Sequence, residues 1–146
     1  MERDEALLVA IEDAAENDHL ELIHELVADG ARVSATCDPL IAACESGHIR
    51  IIECLVNLGS PVDMHGRFGE TPLMAAAGVG CLNAVTFLLA HGADPFKFDT
   101  GTEETKNALG WAEMGLAQEK WDDSMPEEQK HEYKQIIHLL SKLETD

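Results

Sequence analysis

Pro39, Leu40, Gly47, Leu55 and Gly59 return 33 positions later as Pro72, Leu73, Gly80, Leu88 and Gly92. A fixed period of that length confines the chain to stacked supersecondary units, none able to bury its apolar face without a neighbour. The functional question then becomes what the stacked surface holds, rather than where a pocket lies.

The clearest unit opens at Thr71-Pro72-Leu73. The Thr71 hydroxyl is placed to cap a helix, and Pro72 takes the first helical position, where a missing N–H costs nothing. Leu73, Ala75, Ala76 and Ala77 predict a narrow apolar helix, broken by Gly78-Val79-Gly80. A second helix follows with Leu82, Val85, Leu88 and Leu89 on one face. Gly92 closes it as a left-handed C-terminal residue.

The preceding unit repeats this order: Asp38 caps, Pro39 opens, and Leu40, Ala42 and Ala43 pack. Ile49, Ile52, Leu55 and Val56 then form the second face before Gly59. An offset of 29 places an earlier unit on Ile11, Ala14, His19, Leu20, Ile23, Leu26, Val27 and Gly30. A last unit starts at Asn107-Ala108-Leu109, and Ile136, Leu139 and Leu140 lie on its second helix. The expected units are about 5–33, 36–66, 69–100 and 105–143, the last with an insertion near 116–130, in one domain spanning 1–146.

Charge narrows the partners. Ten Lys and Arg face 28 Asp and Glu, a net −18. Residues 1–36 carry −8, 37–100 carry −4 and 101–146 carry −6, so every region has the same sign. Such a field repels phosphate backbones and anionic lipid and attracts basic surfaces over ~8–10 Å at physiological salt. Nucleic acid and membrane are therefore disfavoured as partners. Cys37, Cys44, Cys54 and Cys81 show no zinc-ligand spacing and read as free thiols in a reducing compartment. The acidic start Met1-Glu2-Arg3-Asp4-Glu5 lacks the pattern of a signal peptide, and no apolar run reaches a membrane span. The expected location is the cytoplasm.

Thr71-Pro72-Leu73, Gly80, Leu88-Leu89 and Gly92-Ala93-Asp94, together with Gly47-His48, resemble the ankyrin repeat at its TPL, G, LL, GAD and GH positions. The resemblance covers roughly residues 5–143 as four units, the outer two degenerate. It implies an all-α solenoid of stacked helix–turn–helix units with short β-hairpin-like fingers. The family's TPLH histidine is replaced by Glu12, Ile41 and Met74, so cohesion between units must lean on apolar contact. Terminal units depart from the pattern because each must present one solvated face.

The same resemblance marks a partner-facing edge. It runs through Arg67, Phe68 and Glu70 on a finger and Gly78 and Val79 at the end of the following helix. Glu45 and Ser46 are the equivalents in the preceding unit, Glu12 and Glu16 in the first, and Phe98 extends the row. Phe96 and Phe98 alternate, which predicts one side chain inward and one outward. Trp111 falls in a buried leucine slot and reads as core, whereas Trp121 reads as a seal on the open end of the stack.

Other candidates carry less. His19 and His48 occupy the helix-breaking GH slot, and His131 and His138 read as surface histidines. Glu103-Glu104, Asp122-Asp123 and Glu127-Glu128 lack the alternation of a calcium loop and read as solvated charge. There is no nucleophile elbow or P-loop in the sequence. The reading is a non-catalytic protein–protein interaction module without cofactor or metal, monomeric when free, that masks or inhibits a basic protein in the manner of an immunity protein. A scaffold or adaptor is the alternative. A metal-dependent enzyme built on His131, Asp122 and Asp123 is the remote one.

Overall fold

The computed structural model of the chain describes residues 2–101, 103–118 and 123–145. Its helices come in consecutive pairs: α1 (Glu2–Glu16) with α2 (Leu20–Ala28), α3 (Asp38–Ser46) with α4 (Ile49–Asn57), α5 (Pro72–Gly78) with α6 (Leu82–Ala90), and α7 (Ala108–Ala117) with α8 (Glu127–Thr145). The first helices form an inner layer in which α1 packs on α3, α3 on α5 and α5 on α7. The second helices form an outer layer with less contact between neighbours. This is an all-α repeat solenoid.

Side-chain size explains the difference between layers. The inner helices bury Ala14, Ala15, Ala43, Cys44, Ala76, Ala77 and Ala112, which let the backbones approach closely. Ile11, Ile23, Leu40, Ile52, Leu55, Leu73, Val85, Leu88, Ile136 and Leu140 fill the space between layers as one continuous core. Met74, in the slot of the family's histidine, is itself buried, with its sulfur 3.5 Å from the Thr71 backbone N–H. The Thr71 hydroxyl caps α5 by accepting from Met74 N at 3.3 Å.

Backbone turns repeat more faithfully than side chains. Gly30, Gly59 and Gly92 all have positive φ and end the second helices in the same way. At Gly92, its own N–H donates to Leu89 O at 3.3 Å and the next N–H, of Ala93, to Leu88 O at 3.0 Å. That pair is a Schellman closure, which satisfies the last carbonyls of a helix. Gly47 and Gly80, at φ 71 and 75, turn the chain between paired helices. In the first pair the equivalent residue is Asp18, the sole described non-glycine with positive φ, at 61.

One expectation fails locally. Cys37, rather than Asp38, precedes α3 as its cap residue, and it makes no side-chain capping bond. The Asp38 carboxylate is drawn elsewhere: Oδ2 accepts from Thr36 Oγ1 at 3.0 Å and Oδ1 from Arg67 N at 3.1 Å. Between helix pairs the fingers are loops pinned by isolated backbone bonds, Gly66 N to Glu70 O at 2.7 Å and Gly69 N to Gly66 O at 3.0 Å in one, and Asp99 N to Lys106 O at 2.9 Å in the next. There is no strand among the described residues. Nor is any described helix long and apolar enough to cross a membrane.

The left-handed positions make a paired prediction. Open space surrounds the Gly92 Cβ position, so G92A bears a purely conformational penalty of about 1 kcal/mol. D18G relieves the same strain and is expected to gain roughly 0.5 kcal/mol, less than the strain itself because glycine loosens the unfolded chain. Urea unfolding of both variants, with unchanged m-values, checks the two signs.

Candidate protein-binding surface

Helix ends and fingers meet along the inner edge. Glu12 and Glu16 come from α1, Glu45 and Ser46 from the end of α3, and Gly78 and Val79 from the end of α5 and the turn after it. Glu16, Glu45 and Ser46 are exposed, while Glu12, Gly78 and Val79 are half-buried. The Glu45 carboxyl is pushed above its ordinary range, chiefly by partial burial and then by the charges of Glu70, Glu16 and Glu12. Four expected contact residues thus share one electrostatic neighbourhood.

Arg67 has a different place from the one expected. Its guanidinium is ion-paired with Glu12, and its Nε lies 3.4 Å from Asp38 Oδ2. With its backbone N–H also on Asp38, it ties the finger to α1 and α3. Glu70 departs too: it is only 9% exposed, at the root of the finger.

The aromatic residues sit further out. Phe68 is 73% exposed, with the Arg67 guanidinium carbon 5.9 Å from its ring centre. Phe98 and Phe96 are 55% and 47% exposed, so neither points inward. The alternation fails because this segment is not a strand: Asp94 Oδ1 accepts the Phe96 N–H at 2.9 Å and turns the chain. Consecutive fingers touch through backbone, Thr100 N donating to Gly69 O at 3.0 Å, and a Cβ on Gly69 would lie 2.2 Å from Gly101 N. His65 Nε2 also bonds Phe98 O at 2.8 Å. Phe68 and Phe98 therefore belong to one pinned row.

The fourth pair contributes what sequence reasoning missed. Trp111 is half-buried rather than core, and its Nε1 donates to Asp99 Oδ2 at 3.0 Å. The indole lies against Gly78, where a Cβ would come within 3.2 Å of Trp111 Cε3. Gly115 lets α7 close on α5, and Tyr133 Oη of α8 donates to Gly78 O at 2.7 Å. Together these leave a notch of about 350 Å³ bounded by Glu45 and Glu70 on one side and Trp111, Met114 and Gln118 on the other. A shift of 36 from α5 to α7 would have found Met114 and Gly115 as counterparts of Gly78 and Val79. Trp121 and Asp122 lie outside the described residues.

One further polar candidate serves the stack. His48 Nε2 bonds Glu16 O at 3.0 Å, joining the second pair to the first. His131, His138, Glu103, Glu104, Asp123, Glu127 and Glu128 are exposed. Burial, with Asp38 adding, pushes the Cys37 thiol up to about 12, and its Sγ–H donates to Met64 O at 3.1 Å. Cys44, wholly buried, is likewise held as a neutral thiol by burial. Neither is a nucleophile in that state.

A profile of ankyrin repeats in three copies matches residues 11–99, and the chain belongs to the ankyrin-repeat family. XBAT34 of Arabidopsis thaliana, named as a candidate E3 ubiquitin-protein ligase, is 35% identical over 100 residues, 64% of this chain and 26% of that protein. The ankyrin repeat and KH domain-containing protein CBG24701 of Caenorhabditis briggsae is 29% identical over 112 residues, 77% of this chain and 4% of that protein. Its Caenorhabditis elegans namesake mask-1 is 32% identical over 98 residues, 63% of this chain and 4% of its own. The chain spans about a quarter or less of the length of these curated relatives. Ankyrin repeats are protein–protein interaction modules, and the family is generally non-catalytic.

Two variants test this geometry. A Cβ on Gly115 would lie 2.6 Å from both Gly78 O and Tyr133 Cε1, so G115A should destabilise by about 1–3 kcal/mol through overpacking, read by chemical denaturation. For Glu45, a raised folded-state pKa means the folded protein holds the proton more tightly than the unfolded chain. Stability is then lost as pH climbs from the ordinary carboxylate range through the raised value, and regained on acidification. E45Q should melt above the parent at pH 7, and the difference should close by about pH 4.

Proposed function

We propose that residues 1–146 act as one ankyrin-repeat domain of four units, without catalysis, whose acidic edge covers a basic surface of a partner protein and masks or inhibits it. The observation that carries this is the clustering of Glu12, Glu16, Glu45 and Glu70. Only Glu12 has an ion-pair partner among the described residues. Same-sign charges held together on a stiff edge favour a cationic partner, giving fast and salt-sensitive association. Little ordering entropy is lost, because helices and pinned fingers fix the edge before binding.

The contact set is Glu12, Glu16, Glu45, Ser46, Arg67, Phe68, Glu70, Gly78, Val79 and Phe98. Within it Arg67 holds the finger in place and Phe68 and Phe98 supply apolar contact area. The protein is cytoplasmic and monomeric when free in this reading. A second reading, scaffold or adaptor, draws support from the relatives, in which the matched segment is a small part of a longer protein.

Affinity capture with the parent and an E12Q/E16Q/E45Q variant separates the readings. Masking predicts one basic partner, whose retention drops at least about tenfold in the variant and falls further as salt is raised to physiological strength. Several unrelated partners would favour the adaptor. Capture indifferent to both salt and the substitutions would contradict the electrostatic mechanism.

A further inference from the structure

The notch between α3, α5 and α7 has a composition that fits one chemical group. Its floor and one wall are apolar: Ala75, Gly78, Val79 and the indole of Trp111, held by its bond to Asp99. Its other wall includes Glu45 and Glu70, and one Glu70 carboxylate oxygen, Oε1, lies towards Gly66 behind that wall. Glu70 is nine-tenths buried, yet its carboxylate has no hydrogen bond or ion pair with any described residue. Its oxygens are still reachable, because Ser60 Oγ alone is both fully occluded and unsatisfied among the described side chains. A buried carboxylate without a partner is costly. No group of three described His, Cys, Asp or Glu gathers in a way that could hold a metal.

From this juxtaposition we infer that the notch is a receptor for a single basic side chain, lysine or arginine, projecting from the partner protein. The alkyl stem lies along Ala75, Gly78 and the Trp111 ring, and the cationic head reaches Glu70 and Glu45. Long basic side chains are suited to this, since the stem buries in apolar contact while the head finds charge. An indole face adds attraction for a cation. The raised Glu45 carboxyl fits the same picture, because an incoming cation relieves the repulsion among the glutamates. A second hollow, sharing Glu45 and Val79 and reaching Glu132, continues the acidic track beyond the notch. The inference rests on the basic-partner reading and names the contact at its centre.

The test uses three capped nine-residue Gly-Ser peptides carrying a central lysine, arginine or norleucine, titrated at low salt while the Trp111 indole N–H resonance is followed by NMR. The lysine or arginine peptide should shift that resonance saturably, the tighter of the two identifying the head group, and norleucine should not. E70Q should weaken binding at least tenfold without lowering the melting temperature. E25Q makes the same charge change on the exposed part of α2 and should weaken it less than twofold. Equal losses in E70Q and E25Q, or an unmoved indole resonance while a cationic peptide binds elsewhere, overturn the notch and leave the basic-partner reading standing. A melting temperature that falls in E70Q assigns Glu70 a structural role and also overturns it. Failure of both cationic peptides to bind anywhere also overturns the notch, while the basic-partner reading is decided separately by the affinity capture.

Discussion

Contact between the inner helices through alanine, glycine and cysteine is the constraint on which the structure depends. Large residues at Ala14, Ala43, Ala76 or Ala112 would push the helices apart, and every finger would move with them. Close approach also compensates for a missing device. With Met74 and Ile41 where the family carries histidine, neighbouring units lack that residue's hydrogen bonds and rely on packing. His48, bonded across to Glu16 O, is one of the few polar links between the first two pairs.

On this scaffold the charge distribution works against cohesion. A chain with net −18 places four glutamates along one edge, where partial burial and then the charges of the other three disfavour ionisation of Glu45. Arg67 offsets part of this by pairing with Glu12 and Asp38, and in doing so it fixes the finger that carries Phe68. Glu70 has no such compensation. Cohesion built from small apolar contacts tolerates these charges because α3 and α5 are covered by inner-layer neighbours on both sides.

Much of this was legible in the sequence because helix stops and starts are local. Thr71-Pro72, Gly59 and Gly92 do in the structure what their types and spacing require, and the 33-residue period brings them into register. What stayed hidden depends on tertiary placement. Asp38 has the chemistry of a cap, but an arginine 29 residues away claims its carboxylate. Phe96 and Phe98 alternate along the chain, but a carboxylate turn at Asp94 cancels the alternation. Trp111 fits a core position by alignment, yet its N–H requires Asp99 and draws it to the rim of a notch that forms only when α5 and α7 meet. The edge glutamates were nameable individually, whereas the burial of Glu70 was not.

Native-state hydrogen exchange read residue by residue tests the stack most directly. If inner-helix contact supplies the cohesion, backbone amides of α3 and α5, covered on both sides, should exchange together and most slowly, through global unfolding alone. Those of α1 and α2 should open earlier, in a partial step. Comparable protection in α1 and α3, or pairs that open one by one without regard to position, would contradict an account in which each unit is held by its neighbours.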